Sequence, residues 1–220
     1  MGSNVFFNPH GGEVEHYAED TGVEKRPKTI VMNADFEAPT NVDAATFFYE
    51  KIFPTVREVV PGAELVLAGR NPAHPVRKMA EDPAVTVTGF VDEMRPYLQQ
   101  ASVSIDPLRI GAGMQNKVLV SIAAGTPVVA THMANEGLQI PPEEGVLFAD
   151  EPDPFAQHVV NLLGNPERRK RLGQRGKAYV RKYWTWDFHF SYLESMIDRL
   201  LEKGPGAPVQ QYAARSLAPA

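Results

Sequence analysis

The fold of this 220-residue chain is decided by one stretch, Pro107-Leu108-Arg109-Ile110-Gly111-Ala112-Gly113-Met114-Gln115-Asn116-Lys117-Val118-Leu119, which leads into Ala124-Gly125-Thr126-Pro127-Val128-Val129. Its residue types predict a strand end, a glycine loop, a helix, a glycine stop and a second buried strand. That order places backbone N–H groups and a helix N-terminus where an anionic group binds favourably. Arg109 and Lys117 flank the loop, so the stretch indicates a ligand that carries phosphate.

A glycine loop ahead of a helix has a simpler explanation, because in any α/β protein such glycines most often serve turn geometry. Three residues favour a ligand, since Gln115, Asn116 and Lys117 place amide donors and a cation in the first helical turn. A cation there opposes the helix dipole by roughly 0.3–1 kcal/mol, and a bound phosphate would remove the conflict. The pattern is neither a Walker A loop nor the dinucleotide motif that follows a first strand, which argues against nucleoside triphosphatases and dehydrogenases.

Short apolar runs alternate with helical patterns over most of the chain. This alternation predicts an α/β fold, a doubly wound, Rossmann-like parallel sheet with helices on both faces. Ligands bind beyond the carboxyl ends of the strands in such sheets, so the loop after the fourth strand is the candidate site. The predicted strands are residues 29–32, 64–68, 85–87, 103–105, 127–130 and 145–148.

The helical patterns complete this scheme. A long helix is predicted from about Val42 to Val60, capped by Asn41 or Asp43 and kinked at Pro54. Helices are also predicted to begin at Asp92 and at Gln115. Three more helices follow the last strand with no strand between them, at residues 154–163, 166–183 and 186–201.

Composition shifts along the chain predict three segments. Residues 1–27 are polar and turn-rich, and we expect an irregular segment with little to bury. Residues 28–203 are expected to form the Rossmann-like domain together with its C-terminal helices. Residues 204–220 are rich in proline, alanine, glycine and glutamine, which predicts a disordered tail.

Composition also excludes several classes of function. A formal net charge of −5 argues against a nucleic-acid-binding surface. The chain has no cysteine, which excludes disulfides, thiolate zinc sites and cysteine nucleophiles, and its histidines lack the spacing of metal ligands. No apolar run approaches the roughly 18 residues of a spanning helix, so we expect a soluble, intracellular protein.

Three further features have competing interpretations. Trp184 and Trp186 are expected to pack a helix junction rather than to bind a sugar or a base. The basic run 168–171 is interpreted as a solvated helix face, with a membrane-surface role as the alternative. Asp106 ends a predicted strand, where a carboxylate can be catalytic, but a capping or turn role is favoured.

The motifs together resemble the C-terminal domain of GT-B-fold glycosyltransferases, in the retaining, nucleotide-sugar-dependent group 1 family. The resemblance rests on the glycine loop and on Gln115-Asn116-Lys117-Val118-Leu119, Ala123-x-Gly125-x-Pro127-Val128-Val129-Ala130-Thr131 and Glu136-Gly137-Leu138. Supporting segments include 61–72, 87–92, 165–169 and 183–186, so the resemblance covers roughly residues 28–202.

The resemblance implies a donor-binding domain that transfers a sugar from a nucleotide-diphosphate sugar to a glycan or lipid-linked acceptor. It implies no metal or other cofactor, a separate N-terminal acceptor domain, and a cytoplasmic location that is at most peripheral to the inner face of the membrane. No catalytic residue is assigned. By motif position, the diphosphate or donor sugar would contact Arg109, Gly111, Gly113, Asn116 and Lys117, the sugar pocket would be bordered by Glu136, Gly137 and Leu138, and the base would face Gly89, Phe90 and Val91.

The sequence departs from the family pattern at three positions. Two glutamates are common in the family, one for the donor sugar and one for the ribose, and Ala112 and Val120 occupy the matching positions. The glycine usual after the first strand is replaced by Asn33. These departures permit an alternative, a degenerate, non-catalytic nucleotide-sugar-binding or scaffolding module. The residues ahead of the first strand are too few for an acceptor domain, so we expect an excised half or a partner on another chain.

Overall fold

A computed structural model describes residues 11–111 and 113–203. Residues 1–10, Ala112 and the tail 204–220 lie outside the described residues, and with them the predicted disorder of that tail.

Six parallel strands form one sheet in the order β3-β2-β1-β4-β5-β6. This is the strand order of a Rossmann-like sheet, whose topological switch lies between β1 and β4. The predicted doubly wound fold is therefore confirmed, and each predicted strand is present. The strands are β1 (Thr29–Asn33), β2 (Glu64–Ala68), β3 (Val85–Gly89), β4 (Val103–Asp106), β5 (Val128–Ala130) and β6 (Val146–Phe148).

Ten α-helices are found among the described residues. They are α1 (Val14–Ala18), α2 (Pro39–Phe47), α3 (Phe53–Val59), α4 (His74–Lys78), α5 (Arg95–Gln100), α6 (Asn116–Ala123), α7 (His132–Asn135), α8 (Pro152–Gly164), α9 (Pro166–Tyr183) and α10 (Trp186–Lys203). A 3₁₀ turn at Met79–Glu81 follows α4.

The sheet is buried on both faces, as strands with unbroken apolar runs require. Ile30 and Met32 of β1 pack with buried side chains of α3 and α8. Val31, between them in the strand, points to the opposite face and packs with Leu98 of α5. Successive side chains of one strand thus point to opposite faces of the sheet and pack into two separate apolar cores.

The predicted long helix begins three residues early and contains a π turn. Pro39 starts α2, and its missing N–H costs nothing at the first helical position. Asn41 and Asp43 therefore lie inside the helix, and the prediction that either caps it is wrong. A π turn at Phe48–Ile52 separates α2 from α3, and Pro54 lies in the first turn of α3. The wider turn accommodates the proline, which cannot donate a helical hydrogen bond.

The helix predicted from Asp92 begins instead at Arg95. The Glu93 carboxylate accepts a hydrogen bond from the Arg95 N–H at 3.0 Å, and residues 91–94 are not helical. The short helix α7 was not predicted. Its N-cap, Thr131, accepts a hydrogen bond from the Ala134 N–H at 3.2 Å.

The expectation that the first 27 residues are irregular with little to bury is wrong for residues 11–18. Val14 of α1 is fully buried and packs in one core cluster with Leu119 of α6 and Trp184. Backbone hydrogen bonding also holds the segment, since the Gly12 N–H donates to the Trp184 carbonyl at 2.9 Å. Long-range contact thus orders a stretch whose local composition predicts a loop.

No helix in residues 11–111 and 113–203 combines the length and the apolar character that crossing a lipid bilayer requires.

Candidate functional site

A cavity of about 780 Å³ opens at the carboxyl ends of β1 and β2 and beside the first turns of α6. This place is next to the topological switch of the sheet, where open α/β sheets bind ligands. Its lining comes from three parts of the fold. These are the strand ends with their loops (Asn33, Ala34, Asp35, Asn41, Gly69, Arg70, Phe90, Val91, Met94), helix α6 with its N-cap (Gln115, Asn116, Lys117, Leu119, Val120), and the α1 segment with Trp186 (Gly11, Gly12, Glu13, Tyr17, Trp186).

Lys117 is, with Arg70, one of two basic side chains that line the cavity in the described part of the chain. Its Nζ donates to Asn41 Oδ1 at 2.7 Å and lies 3.1 Å from Asp106 Oδ1. The Lys117 side chain is only 12% exposed and that of Asp106 only 2%, so this is a largely buried ion pair. Burial raises the pKa of the Asp106 carboxyl above its ordinary value, and the neighbouring Lys117 ammonium counteracts the rise.

This ion pair changes two interpretations made from sequence. Among the described residues, neither carboxylate oxygen of Asp106 meets hydrogen-bond geometry, so the favoured capping or turn role is wrong. The carboxylate instead faces the cation at the start of α6. The conflict between Lys117 and the helix dipole is therefore already relieved within the protein, without a bound phosphate.

A second ion pair lies at the cavity wall. Asp35, after β1, accepts a hydrogen bond from Arg70 Nε at 2.9 Å. A backbone hydrogen bond from Glu37 and the Arg70 guanidinium lower the pKa of Asp35 below its ordinary value. Gly69 makes this approach of the two loops possible, because a Cβ there would lie 1.8 Å from the Ala34 carbonyl oxygen.

The glycine loop lies next to the turn after α7. A Cβ on Gly137 would lie 2.5 Å from the carbonyl oxygen of Gly113, so only glycine permits this approach. Gly111 and Gly113 do not line the cavity, nor do Glu136 and Gly137. Leu138 is 1% exposed and belongs to the core cluster around α6 and α7.

Arg109 points away from the cavity. Its guanidinium forms an ion pair with Asp43 of α2 and lies over the Phe47 ring, 4.3 Å from the ring centroid. Of the residues assigned to the diphosphate or donor sugar, the structure thus brings Asn116 and Lys117 to the cavity and leaves the others around it.

The other end of the cavity is mainly apolar. Val120 lies one helical turn beyond Lys117 and, like Tyr17 and Met94, packs against the core cluster that contains Leu98. Of the residues assigned to the base, Phe90 and Val91 line the cavity and Gly89 does not. The Phe90 side chain is 72% exposed, so its ring is available to a ligand.

Sequence reasoning missed the wall formed by the α1 segment. Gly12, Glu13 and Tyr17 all line the cavity, and a Cβ on Gly11 would lie 2.6 Å from the backbone of Trp186. Trp184 is buried at the helix junction as predicted, whereas Trp186 is 44% exposed and lines the cavity. The apolar pair Val14 and Tyr17 was the one local signal for this docking.

Among the described residues, no group of three or more histidine, aspartate or glutamate side chains could hold a metal ion. The cavity has a cationic end at Lys117 and an apolar end about one helical turn away.

Comparison with known proteins identifies the family. The profile described as "Glycosyl transferases group 1" matches residues 27–165. The chain belongs to this family. Among curated proteins, it is 33% identical over 149 residues to the GDP-mannose-dependent alpha-(1-6)-phosphatidylinositol monomannoside mannosyltransferase of Mycobacterium tuberculosis. That match covers 61% of this chain and 39% of the relative, so the chain spans well under half of the relative's length.

Solved structures show the same fold at low sequence identity. A variant of TarM from S. aureus matches with a TM-score of 0.67 and 13% identity, covering 82% of this chain and 36% of that one. The C-terminal domain of the group 1 glycosyltransferase LpcC from Francisella tularensis matches with a TM-score of 0.58 and 13% identity, covering 81% of this chain and 96% of that domain. The group 1 glycosyltransferase fold predicted from the motifs is thus confirmed.

Proposed function

We propose that this chain is the donor-binding domain of a retaining glycosyltransferase that transfers a sugar from a nucleotide-diphosphate sugar to a glycan or lipid-linked acceptor. One observation carries the proposal: the cavity at the switch point joins a cationic end at Lys117 to an apolar end beside Val120 and Phe90. A diphosphate suits the first end and a nucleoside the second. The mycobacterial relative is GDP-mannose-dependent, which supports GDP-mannose as the first donor to test.

In the proposed reaction, the site stabilises the negative charge of the departing diphosphate. The Lys117 ammonium and the free N–H groups at the start of α6 face the same end of the cavity, where negative charge would develop as the sugar leaves. Asn116 adds an amide donor, and the loop of Gly111 and Gly113 supplies backbone that can approach the ligand closely. The proposed donor site needs no metal.

Arg109 joins this site only if it leaves Asp43. Both side chains are partly exposed, and such surface pairs are weak, so the guanidinium can turn toward a bound diphosphate at little cost. Gly137 acts by holding the glycine loop from behind, since it packs against the Gly113 carbonyl, and Glu136 precedes it in the turn after α7. Leu138 contributes through the core.

We further propose that acceptor binding belongs to a separate N-terminal domain. More than half of the mycobacterial relative lies outside the matched region, which leaves room for one. The acceptor of that relative contains phosphatidylinositol, which supports a lipid-linked acceptor and a cytoplasmic protein at the periphery of the membrane. Helix α10 offers this domain an exposed apolar stripe at helical spacing, formed by Trp186, Phe190, Leu193, Ile197 and Leu201.

A second candidate is a degenerate module that binds nucleotide sugar without turnover. The apolar Val120 in the cavity favours it, because a ribose beside that side chain gains no hydrogen bond from it. Release of mannose from GDP-mannose, with or without an added acceptor domain, would contradict this second reading.

Calorimetry with GDP and UDP tests the proposed donor site. We expect binding that Lys117→Ala weakens and that the matched control Lys170→Ala, an exposed lysine of α9, leaves unchanged. Absence of both heat and thermal stabilisation at millimolar nucleotide would overturn the proposal.

A further inference from the structure

The wall of the cavity formed by the α1 segment carries a carboxylate with no partner. Glu13 is exposed and lines the cavity. Its carboxylate has no hydrogen bond or ion pair within residues 11–111 and 113–203. Asp35, the other carboxylate of the lining, is engaged with Arg70 and with the Glu37 N–H. Glu13 is therefore the acidic group of the described cavity that is available to a ligand.

The position of Glu13 is fixed by the packing around it. The next residue, Val14, is fully buried against α6, and the preceding Gly12 donates its N–H to the Trp184 carbonyl at 2.9 Å. At the other end of α1, Lys177 Nζ donates to the Ala18 carbonyl at 2.6 Å. The side chain thus projects from an anchored backbone. A ligand that contacts it therefore binds with little loss of backbone conformational entropy.

The spacing along α6 relates Glu13 to the diphosphate end. Lys117 and Val120 are both in the lining and lie about 4.5 Å apart along the helix axis. Val120 and Tyr17, which lies one turn after Glu13 on α1, both line this cavity and both pack against the core cluster that contains Val31 and Leu98. A nucleoside whose diphosphate contacts Lys117 therefore brings its ribose beside Val120 and toward the face of α1 that carries Glu13.

A ribose buried there needs a hydrogen-bond acceptor, because a hydroxyl removed from water without a partner costs free energy. The α6 side of this end offers Val120 and Leu119, and the facing loop offers Val91 and Met94. None of these side chains accepts a strong hydrogen bond.

We propose that Glu13 accepts a hydrogen bond from a ribose hydroxyl of the bound nucleoside diphosphate. The inference rests on the proposed donor site and extends it, because it makes the segment ahead of the first strand part of that site. The hydrogen-bond acceptor for the ribose, which Val120 on α6 does not supply, is then supplied by Glu13 on α1.

Calorimetry with GDP, 2′-deoxy-GDP and 3′-deoxy-GDP tests this assignment. We compare the unsubstituted protein with Glu13→Ala and with Glu15→Ala, an exposed residue of α1 that does not line the cavity. Glu13 makes no side-chain capping hydrogen bond, so its removal leaves α1 intact, which thermal unfolding verifies. We expect Glu13→Ala to weaken GDP binding roughly tenfold or more, as loss of a charged hydrogen bond does.

The deoxy nucleotides separate a direct contact from a general effect of charge. For one of the two deoxy nucleotides, the affinity for the unsubstituted protein should be as low as the affinity of GDP for Glu13→Ala. The Glu13→Ala variant should bind that deoxy nucleotide and GDP with equal affinity. Equal discrimination in both proteins would overturn the role of Glu13 while the donor site stands. If the unsubstituted protein bound neither GDP nor UDP, the donor site itself would fall and this inference with it.

Discussion

The Lys117 ammonium lies 3.1 Å from Asp106 Oδ1, and this buried pair joins the end of β4 to the first turn of α6. The pair spans the glycine loop, so it fixes the cation relative to the strand from which that loop departs. Asn41, from α2, accepts a hydrogen bond from the same ammonium at 2.7 Å. Three elements of the fold thus converge on one cation, which is held in place before any ligand binds.

The first prediction concerns the pH dependence of stability. The pKa of Asp106 is raised in the folded protein, so its contribution to stability is full below the ordinary value of 3.8 and is lost as the pH rises through the folded-state pKa. The uncharged variant Asp106→Asn lacks this loss. In urea unfolding, the free energy of the variant should therefore rise relative to that of the unsubstituted protein as the pH increases from about 4 to 7. A difference that stays constant over this range would contradict the assignment.

The second prediction concerns the ligand cation. Lys117→Ala removes a charged donor from the cavity, and charged hydrogen bonds contribute about 1.5–3 kcal/mol. The affinity for GDP should fall roughly tenfold to a hundredfold, measured by titration calorimetry. The salt dependence of binding should fall as well, because one cationic contact is lost. Lys170→Ala controls for the change in net charge, and an equal loss in that variant would point to a long-range effect.

The sequence predicted the parts of this site that local patterns encode. The strands are continuous apolar runs, and α6 follows its glycine loop within a few residues, so periodicity places Lys117 at the carboxyl edge of the sheet. The pairing of Lys117 with Asp106 depends on the path of that loop and is not visible in periodicity.

Contacts between distant segments could not be predicted from local sequence patterns. Gly12 meets Trp184 through a backbone hydrogen bond across nearly the whole chain, and Val14 is buried only because α6 and α9 are already packed together. Asn41 was interpreted as a cap from local preference alone. Its actual position inside α2, facing Lys117, follows from Pro39 starting the helix and from packing of α2 on the sheet.

The third prediction concerns the support behind the glycine loop. A Cβ at Gly137 would lie 2.5 Å from the Gly113 carbonyl oxygen, so Gly137→Ala must displace that backbone. Overpacking of this kind costs about 1–3 kcal/mol, and we expect a lower melting temperature together with weaker GDP binding. Gly164→Ala is the matched control, because a Cβ at that position has open space around it. Unchanged GDP affinity in Gly137→Ala would show that the loop does not contact the ligand.

The fourth prediction concerns the stripe on α10. Phe190 and Ile197 are about half exposed, so Phe190→Ser and Ile197→Ser should change stability by less than about 0.5 kcal/mol and leave GDP binding unchanged. If the stripe receives the proposed acceptor domain, the same variants should reduce any sugar transfer that is measured together with that domain. Retention of full transfer activity would remove α10 from the proposed interface.

The last prediction compares two positions for one carboxylate. Val120 is half-buried on α6, and the α6 and α1 residues Val120 and Glu13 line the same cavity. If Glu13 serves the ribose from α1, then Val120→Glu should add little affinity for GDP to the unsubstituted protein, because the acceptor is already supplied. In the Glu13→Ala background, the same substitution should recover part of the lost affinity, whereas Val120→Gln should recover less because it lacks the charge. A gain of equal size in both backgrounds would show that the two carboxylates act independently, and the ribose contact of Glu13 would then be wrong.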